Sequence, residues 1–336
     1  MLWLGKFGKV LLVTFLSVVF FLTILYRRDL PEQEIFEKYQ TPESLFIEVD
    51  GINVHVRIMG EGEPIILLHG SFASLHTWER WQKELSPYFM TISLDFPGHG
   101  LTGPDPLKRY SIGDYSHLVQ RIAEKLNIYK FHLAGNSMGG AVALDLASNR
   151  SDKILTLSLI DAAGAPELEV RSLESEAKSD TKPWWLNLAE TPAFSQLLLK
   201  CTPRFLFSQN LKSIYGDPSY ISEELVDRYY ELMLREGNRG AALDRISQRR
   251  KVDFDFERLT MPTLILWGQK DPWFPVSQGE RFKKLIQKSN LVVFEEAGHM
   301  PMEEIPTESV SEYLSFLGVE VRRNYLEPPK HMVYAN

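Results

Sequence analysis

The segment Gly135-Asn136-Ser137-Met138-Gly139 forces a sharp change of direction between two elements of different type. Before it, Phe131-His132-Leu133-Ala134 reads as a buried strand; after it, Gly140-Ala141-Val142-Ala143-Leu144 opens a helix of small residues. Small side chains on both flanks let the backbone turn tightly and hold Ser137 in a strained conformation, its hydroxyl aimed out of the turn. The pentapeptide alone also suits an ordinary glycine-rich turn, so the rest of the chain has to decide between the two.

Three further motifs follow the order that such a turn requires. Ile65-Ile66-Leu67-Leu68 is an unbroken apolar run, read as a central parallel strand, that ends in His69-Gly70-Ser71-Phe72. A loop of this kind offers backbone N–H groups to an oxyanion, and the N–H groups of Ser71 and Met138 are the candidate donors, with Phe72 as the neighbouring alternative. His69 reads as a structural residue of the loop. Leu264-Ile265-Leu266-Trp267 delivers Asp271 beyond the carboxyl end of another strand, where a carboxylate can fix an imidazole tautomer. Leu291-Val292-Val293-Phe294 leads to His299 on a glycine turn, a candidate general base and acid. The chain order is serine, aspartate, histidine.

On these residues, together with the Asp95-Phe96-Pro97-Gly98-His99-Gly100 turn, the chain resembles the α/β-hydrolase superfamily from about residue 44 to 318. Within it, Gly135-Asn136-Ser137-Met138-Gly139-Gly140 is similar to the branch that holds meta-cleavage-product hydrolases, esterases and membrane-anchored monoacylglycerol lipases. The resemblance implies an α/β fold with a doubly wound, mostly parallel sheet. It implies Ser137 as nucleophile, His299 as base, Asp271 as acid and Ser71 and Met138 as oxyanion donors. Serine at the elbow argues against the aspartate-dependent dehalogenases and epoxide hydrolases of the same superfamily.

A chain of 336 residues with 44% hydrophobic content can bury a large core. Its formal charge of −7, with no basic stripe, argues against a nucleic-acid partner. The single cysteine, Cys201, excludes an intrachain disulfide, and no His/Cys cluster has metal spacing, so no metal or other cofactor is expected.

Val10 to Tyr26 is uncharged and apolar, flanked by Lys6, Lys9, Arg27 and Arg28. As a helix it would span on the order of 26 Å, just enough for a bilayer if the flanking cations snorkel. No small-residue cleavage site follows, so residues 1–28 are expected to be an uncleaved single-pass membrane anchor, with a slight preference for the remainder lying outside. A polar linker at 29–43 then leads to an edge hairpin, Ser44–Asp50 and Asn53–Met59, and strands alternate with helices up to residue 318, with a tail at 319–336. Ser111 with Asp114 gives one of these helices a capping-box start.

The alternation breaks between Ala165 and Arg258, a proline-punctuated, aromatic-rich stretch at the position where the superfamily inserts a helical cap. Most of its aromatics should form the cap's own core, with Trp184 and Trp185 the first candidates to face an apolar acyl or aryl pocket beside Phe72. Asp161 also ends a strand, as a less favoured triad acid than Asp271, whereas Asp95 and His99 should organise a loop near the pocket. The expected activity is cleavage of small-molecule carboxylic esters with an apolar part. Carbon–carbon bond hydrolysis, which needs a cation such as Arg80 or Arg245 for a substrate carboxylate, and a non-catalytic binding role are the alternatives.

Overall fold

The computed structural model describes residues 2–166, 199–248, 250, 252–320 and 332–334. Nine strands form one sheet: β1 (Ser44–Val49), β2 (Ile52–Met59), β3 (Pro64–Leu68), β4 (Met90–Leu94), β5 (Phe131–Asn136), β6 (Ile154–Ile160), β7 (Thr263–Gly268), β8 (Ser289–Phe294) and β9 (Met332–Tyr334). Their spatial order is β1-β2-β4-β3-β5-β6-β7-β8-β9. The stretch from β4 to β8 is parallel, with Ile66 opposite Ile92 on one side and Leu133 on the other. Antiparallel pairs close both edges: the β1–β2 hairpin with β2 on β4, and β9 on β8. The strand in the tail had no signal in the sequence.

Alternation along β3 explains why both sheet faces must be covered. Ile66 and Leu68 join one apolar cluster with α4 (Ile112–Lys125), α5 (Met138–Asn149) and Phe282 of α9 (Val276–Leu285). Ile65 and Leu67 join the opposite cluster with α3 (Glu79–Leu85) and α11 (Pro306–Phe316), where Trp81 stacks on Tyr313 at 5.1 Å between ring centres. A strand buried on both sides reads as a continuous apolar run, as Ile65 to Leu68 does. The capping box expected for α4 is formed: Ser111 accepts from the Asp114 N–H, and Asp114 accepts from the Ser111 N–H.

The expectation of a membrane anchor is corrected. Residues Leu2–Leu25 do form a helix, α1. Its uncharged part, however, runs only from Val10 to Leu25, about 24 Å at roughly 1.5 Å per residue, short of a hydrocarbon core of ~30 Å. Tyr26 falls beyond the helix end. Among the described residues no helix is long and apolar enough to cross a membrane, which overturns the single-pass membrane location and leaves the transmembrane element of the fold and the membrane partner without support. The linker also holds a helix, α2 (Glu32–Tyr39), whose buried Ile35 packs with Leu101 and Leu232.

The described part of the insertion between β6 and β7 is helical: α6 (Arg204–Ile214), α7 (Glu223–Leu234) and α8 (Asn238–Ser247). It is tied to the start of the chain through Arg239, which donates to Asp29 at 2.5 Å, and Arg235, which pairs with Glu32 at 3.0 Å. The short helix α10 (Pro301–Glu304) follows β8 and precedes α11.

Candidate active site

The elbow after β5 has the conformation that its glycines imply. Ser137 sits at φ +52° and ψ −119°, a region costing a non-glycine residue about 1–3 kcal/mol unless its surroundings impose it. They do: the Ser137 N–H donates to the Ile160 carbonyl at 3.1 Å, and the Ser137 carbonyl accepts from Gly140 and Ala163. A Cβ on Gly135 would collide with the Gly139 carbonyl, and one on Gly139 with that of Leu68, so the turn can close only with glycine at both positions. Met138 is the first residue of α5, and its N–H has no intrahelical acceptor.

Beside the elbow, the loop after β3 brings Ser71 against Met138, with Ser71 Oγ 3.5 Å from Met138 Sδ. Arg245 of α8 braces both, donating to Ser71 Oγ at 2.8 Å and lying 3.5 Å from Met138 Sδ, with its guanidinium 5.0 Å from the Phe72 ring centre. His69 is fixed as a structural bridge. The Phe96 N–H donates to its Nε2, leaving Nδ1 to donate to the Gly70 carbonyl at 2.7 Å, and burial holds its pKa below the usual value. Asp95 is likewise internal: it accepts from the Leu75 and Leu101 N–H groups and pairs with His55 at 2.7 Å.

His299 and Asp271 meet from the loops after β8 and β7. His299 Nδ1 lies 2.7 Å from Asp271 Oδ2, while Asp271 Oδ1 accepts from the Trp273 and Phe274 N–H groups. Both residues are buried, and His299 Nε2 has no hydrogen-bond partner among the described residues. Asp161, at the end of β6, comes near this pair and accepts from the Gly268 N–H at 2.9 Å. Burial, reinforced by the Asp271 charge, pushes its carboxyl well above the usual carboxylate range. Asp161, Asp271 and His299 are also the one group among the described residues close enough to share a cation, but the Asp271–His299 hydrogen bond already engages two of their donor atoms with each other.

Ser137, His299, Ser71 and Phe72 line one cleft of about 450 Å³, part of it open to solvent. The sequence reading missed most of its roof: Phe207, Asn210, Leu211 and Ile214 from α6 and Tyr229 from α7. Their period-3.6 spacing marks a helix face but does not say which face meets the pocket. Trp273, also on the lining, stands 5.1 Å from the His299 ring and could have been suspected from its place two residues after Asp271. Trp184 and Trp185 lie outside the described residues. Arg80 is exposed, and neither it nor Arg245 lines the cleft.

The site lies beyond the carboxyl ends of the parallel strands, where open α/β sheets bind ligands. The pattern of the alpha/beta hydrolase fold family matches residues 63–306. A dihydrolipoyllysine-residue acetyltransferase component of the acetoin cleaving system of Pseudomonas putida is 27% identical over 76% of this chain, which spans 64% of that protein. Lipase 1 of Psychrobacter immobilis is 25% identical over 77% of this chain and 78% of its own. A crystallised meta-cleavage product hydrolase from Pseudomonas fluorescens superposes with a TM-score of 0.67 at 24% identity, over 82% of this chain and 97% of its own. With the family pattern running from β3 to α11 through every loop that lines the cleft, the chain belongs to the α/β-hydrolase fold family.

Proposed function

We propose that the protein is a serine hydrolase that cleaves carboxylic esters with an apolar acyl or alkyl part. The observation that carries this reading is the state of His299: Nδ1 is taken by Asp271, and Nε2 is left without a partner in a residue that shares one cleft with Ser137. Nε2 takes the proton of Ser137 as Oγ attacks the ester carbonyl, and Asp271 stabilises the imidazolium. The developing oxyanion is met by the N–H groups of Ser71 and Met138, the latter at the positive end of α5. The imidazolium then protonates the leaving alcohol. A water that gives its proton to Nε2 attacks the acyl-enzyme, and return of that proton to Ser137 Oγ releases the acid.

Esters are favoured over carbon–carbon bond substrates because Arg245, which reaches the cleft lining at Ser71 and Phe72, directs its guanidinium to the Ser71 hydroxyl and the Phe72 ring, and Arg80 is exposed. Phe207, Leu211 and Ile214 suit an apolar chain instead. The test is labelling with a fluorophosphonate, followed by turnover on p-nitrophenyl esters of graded chain length and on a meta-cleavage product. Labelling lost in Ser137→Ala, with turnover of the esters, is expected. Labelling that persists in that variant overturns the nucleophile, and turnover of the meta-cleavage product alone overturns the substrate class.

A further inference from the structure

We propose that Glu304 is the positioning residue for His299 and that it holds the histidine loop and the cap together through one carboxylate. The inference rests on His299 being the base of the reading above.

Glu304, the last residue of α10, is buried and faces the turn that carries His299. Its Oε1 accepts from the Gly298 N–H at 3.1 Å and from the Met300 N–H at 3.0 Å, the peptide groups on either side of His299. Its Oε2 accepts from the Gly298 N–H at 3.0 Å and from the Gly216 N–H, just past the end of α6, at 2.6 Å. One side chain therefore pins the loop at both flanks of the imidazole and ties it to the cap. The same cap segment reaches His299 directly, since its N–H donates to the Ile214 carbonyl at 2.8 Å. On the nucleophile side, Asn136 Nδ2 donates to the His299 carbonyl at 3.1 Å, so two sequence-distant groups, Ile214 and Asn136, bond the His299 backbone itself while Glu304 bonds the residues on either side of it. There is no slack: a Cβ on Gly298 would collide with the Ile214 carbonyl, and one on Gly216 with that of Glu296.

The neighbouring Glu303 repeats the arrangement with side chains. It accepts from Thr77 of the main domain and from the cap phenols of Tyr215 at 2.5 Å and Tyr229 at 2.6 Å. Tyr229 lines the cleft, so the two adjacent carboxylates bind the cap at the place where it meets both substrate space and the base.

Buried charge-assisted bonds to peptide N–H groups are strong and directional, and a base displaced by a fraction of an ångström loses proton transfer before it loses binding. Glu304→Gln retains the shape but replaces one acceptor oxygen by a donor that faces these N–H groups. In full-length protein, with kcat expressed per site titrated by fluorophosphonate, kcat on a short p-nitrophenyl ester should fall on the order of 10- to 100-fold. KM should stay within about twofold, and the phosphonylation rate should fall in parallel with kcat. A folded Glu304→Gln variant with wild-type kcat and phosphonylation overturns the proposal. Should that variant fail to fold, hydrogen exchange on the wild-type protein decides: slow exchange at the Gly298 and Met300 amides is expected, and exchange at the rate of an open loop overturns it. Ser137→Ala separates the two readings. If it is inactive while Glu304→Gln is unimpaired, only the present inference falls. If it still labels, the serine reading falls, and exchange at Gly298 and Met300 still tests the clamp.

Discussion

The two halves of the cleft are held by different means. Ser137 is fixed by the backbone around it: a strained φ, two glycines without room for a Cβ, and carbonyls of β3 and β6 pressed against the turn. His299 is fixed largely by groups far apart in the chain: Asn136 and Ile214 bond its backbone and Asp271 its ring, while the nearby Glu304 bonds the N–H groups of Gly298 and Met300 on either side. The comparison teaches that the candidate nucleophile is held locally, whereas the imidazole at the end of an edge-side strand is held in part by the cap, through the Ile214 carbonyl. Disturbing the cap should therefore reach the base and leave the elbow intact.

The comparison is broken most severely at its chemical ends. Ser137→Ala should reduce kcat by about 10⁶ while leaving the fold unchanged, since only the hydroxyl goes; circular dichroism and ester turnover together check this. On the histidine side, Asp271→Asn should cost on the order of 10⁴ in kcat, because a carboxamide favours the wrong tautomer.

The glycines sharpen the contrast. Gly135→Ala and Gly298→Ala both force a methyl into backbone, and each should lower stability by about 1–3 kcal/mol in urea unfolding. Only Gly298→Ala should speed hydrogen exchange at Gly216 in the cap, and equal exchange there in the two variants would erase the distinction.

A pH dependence follows from His76, buried between the Ser74 hydroxyl and the Tyr39 carbonyl. Burial lowers its pKa from 6.5 to about 4. The unfolded chain thus binds a proton in this window that the folded one refuses, so its contribution is complete above pH ~6.5 and is lost as pH falls toward 4. At roughly 1.4 kcal/mol per unit, the urea midpoint should drop steadily between pH 6.5 and 4.5, and less steeply in His76→Gln.

The smallest effect is expected at Asp161. Because the His299 ring is bonded to Asp271 while Asp161 accepts from the Gly268 N–H, Asp161→Asn should keep kcat within about threefold, ~0.7 kcal/mol of barrier. A loss like that of Asp271→Asn would give Asp161 the role of triad acid.

What the sequence carried was whatever local geometry and period can encode. Ile65 to Leu68, Thr263 to Trp267 and Leu291 to Phe294 are strands buried on two faces, and continuous apolar runs announce this. Gly135 and Gly139 announce the elbow because no other residue fits there. Ser111 and Asp114 announce a helix start, and both of its hydrogen bonds are made. The reading failed at the N-terminus because it carried the apolar helix through Tyr26 and relied on the flanking cations to make up the length, whereas the helix ends at Leu25 and no described helix is long and apolar enough to cross a membrane.

Only the tertiary structure decided what faces what. It put Phe207, Asn210 and Tyr229 on the same cleft as Ser137, bonded Arg245 to the Ser71 hydroxyl, and paired β9 with β8. It also set Asp271 Oδ2 against the His299 ring and Asp161 against the Gly268 N–H. Glu304 has no signal at all in one dimension, being a glutamate on a short helix. Its bonds to the Gly298 and Met300 N–H groups are local, but the Gly216 N–H, 88 positions away, is brought to it only by packing.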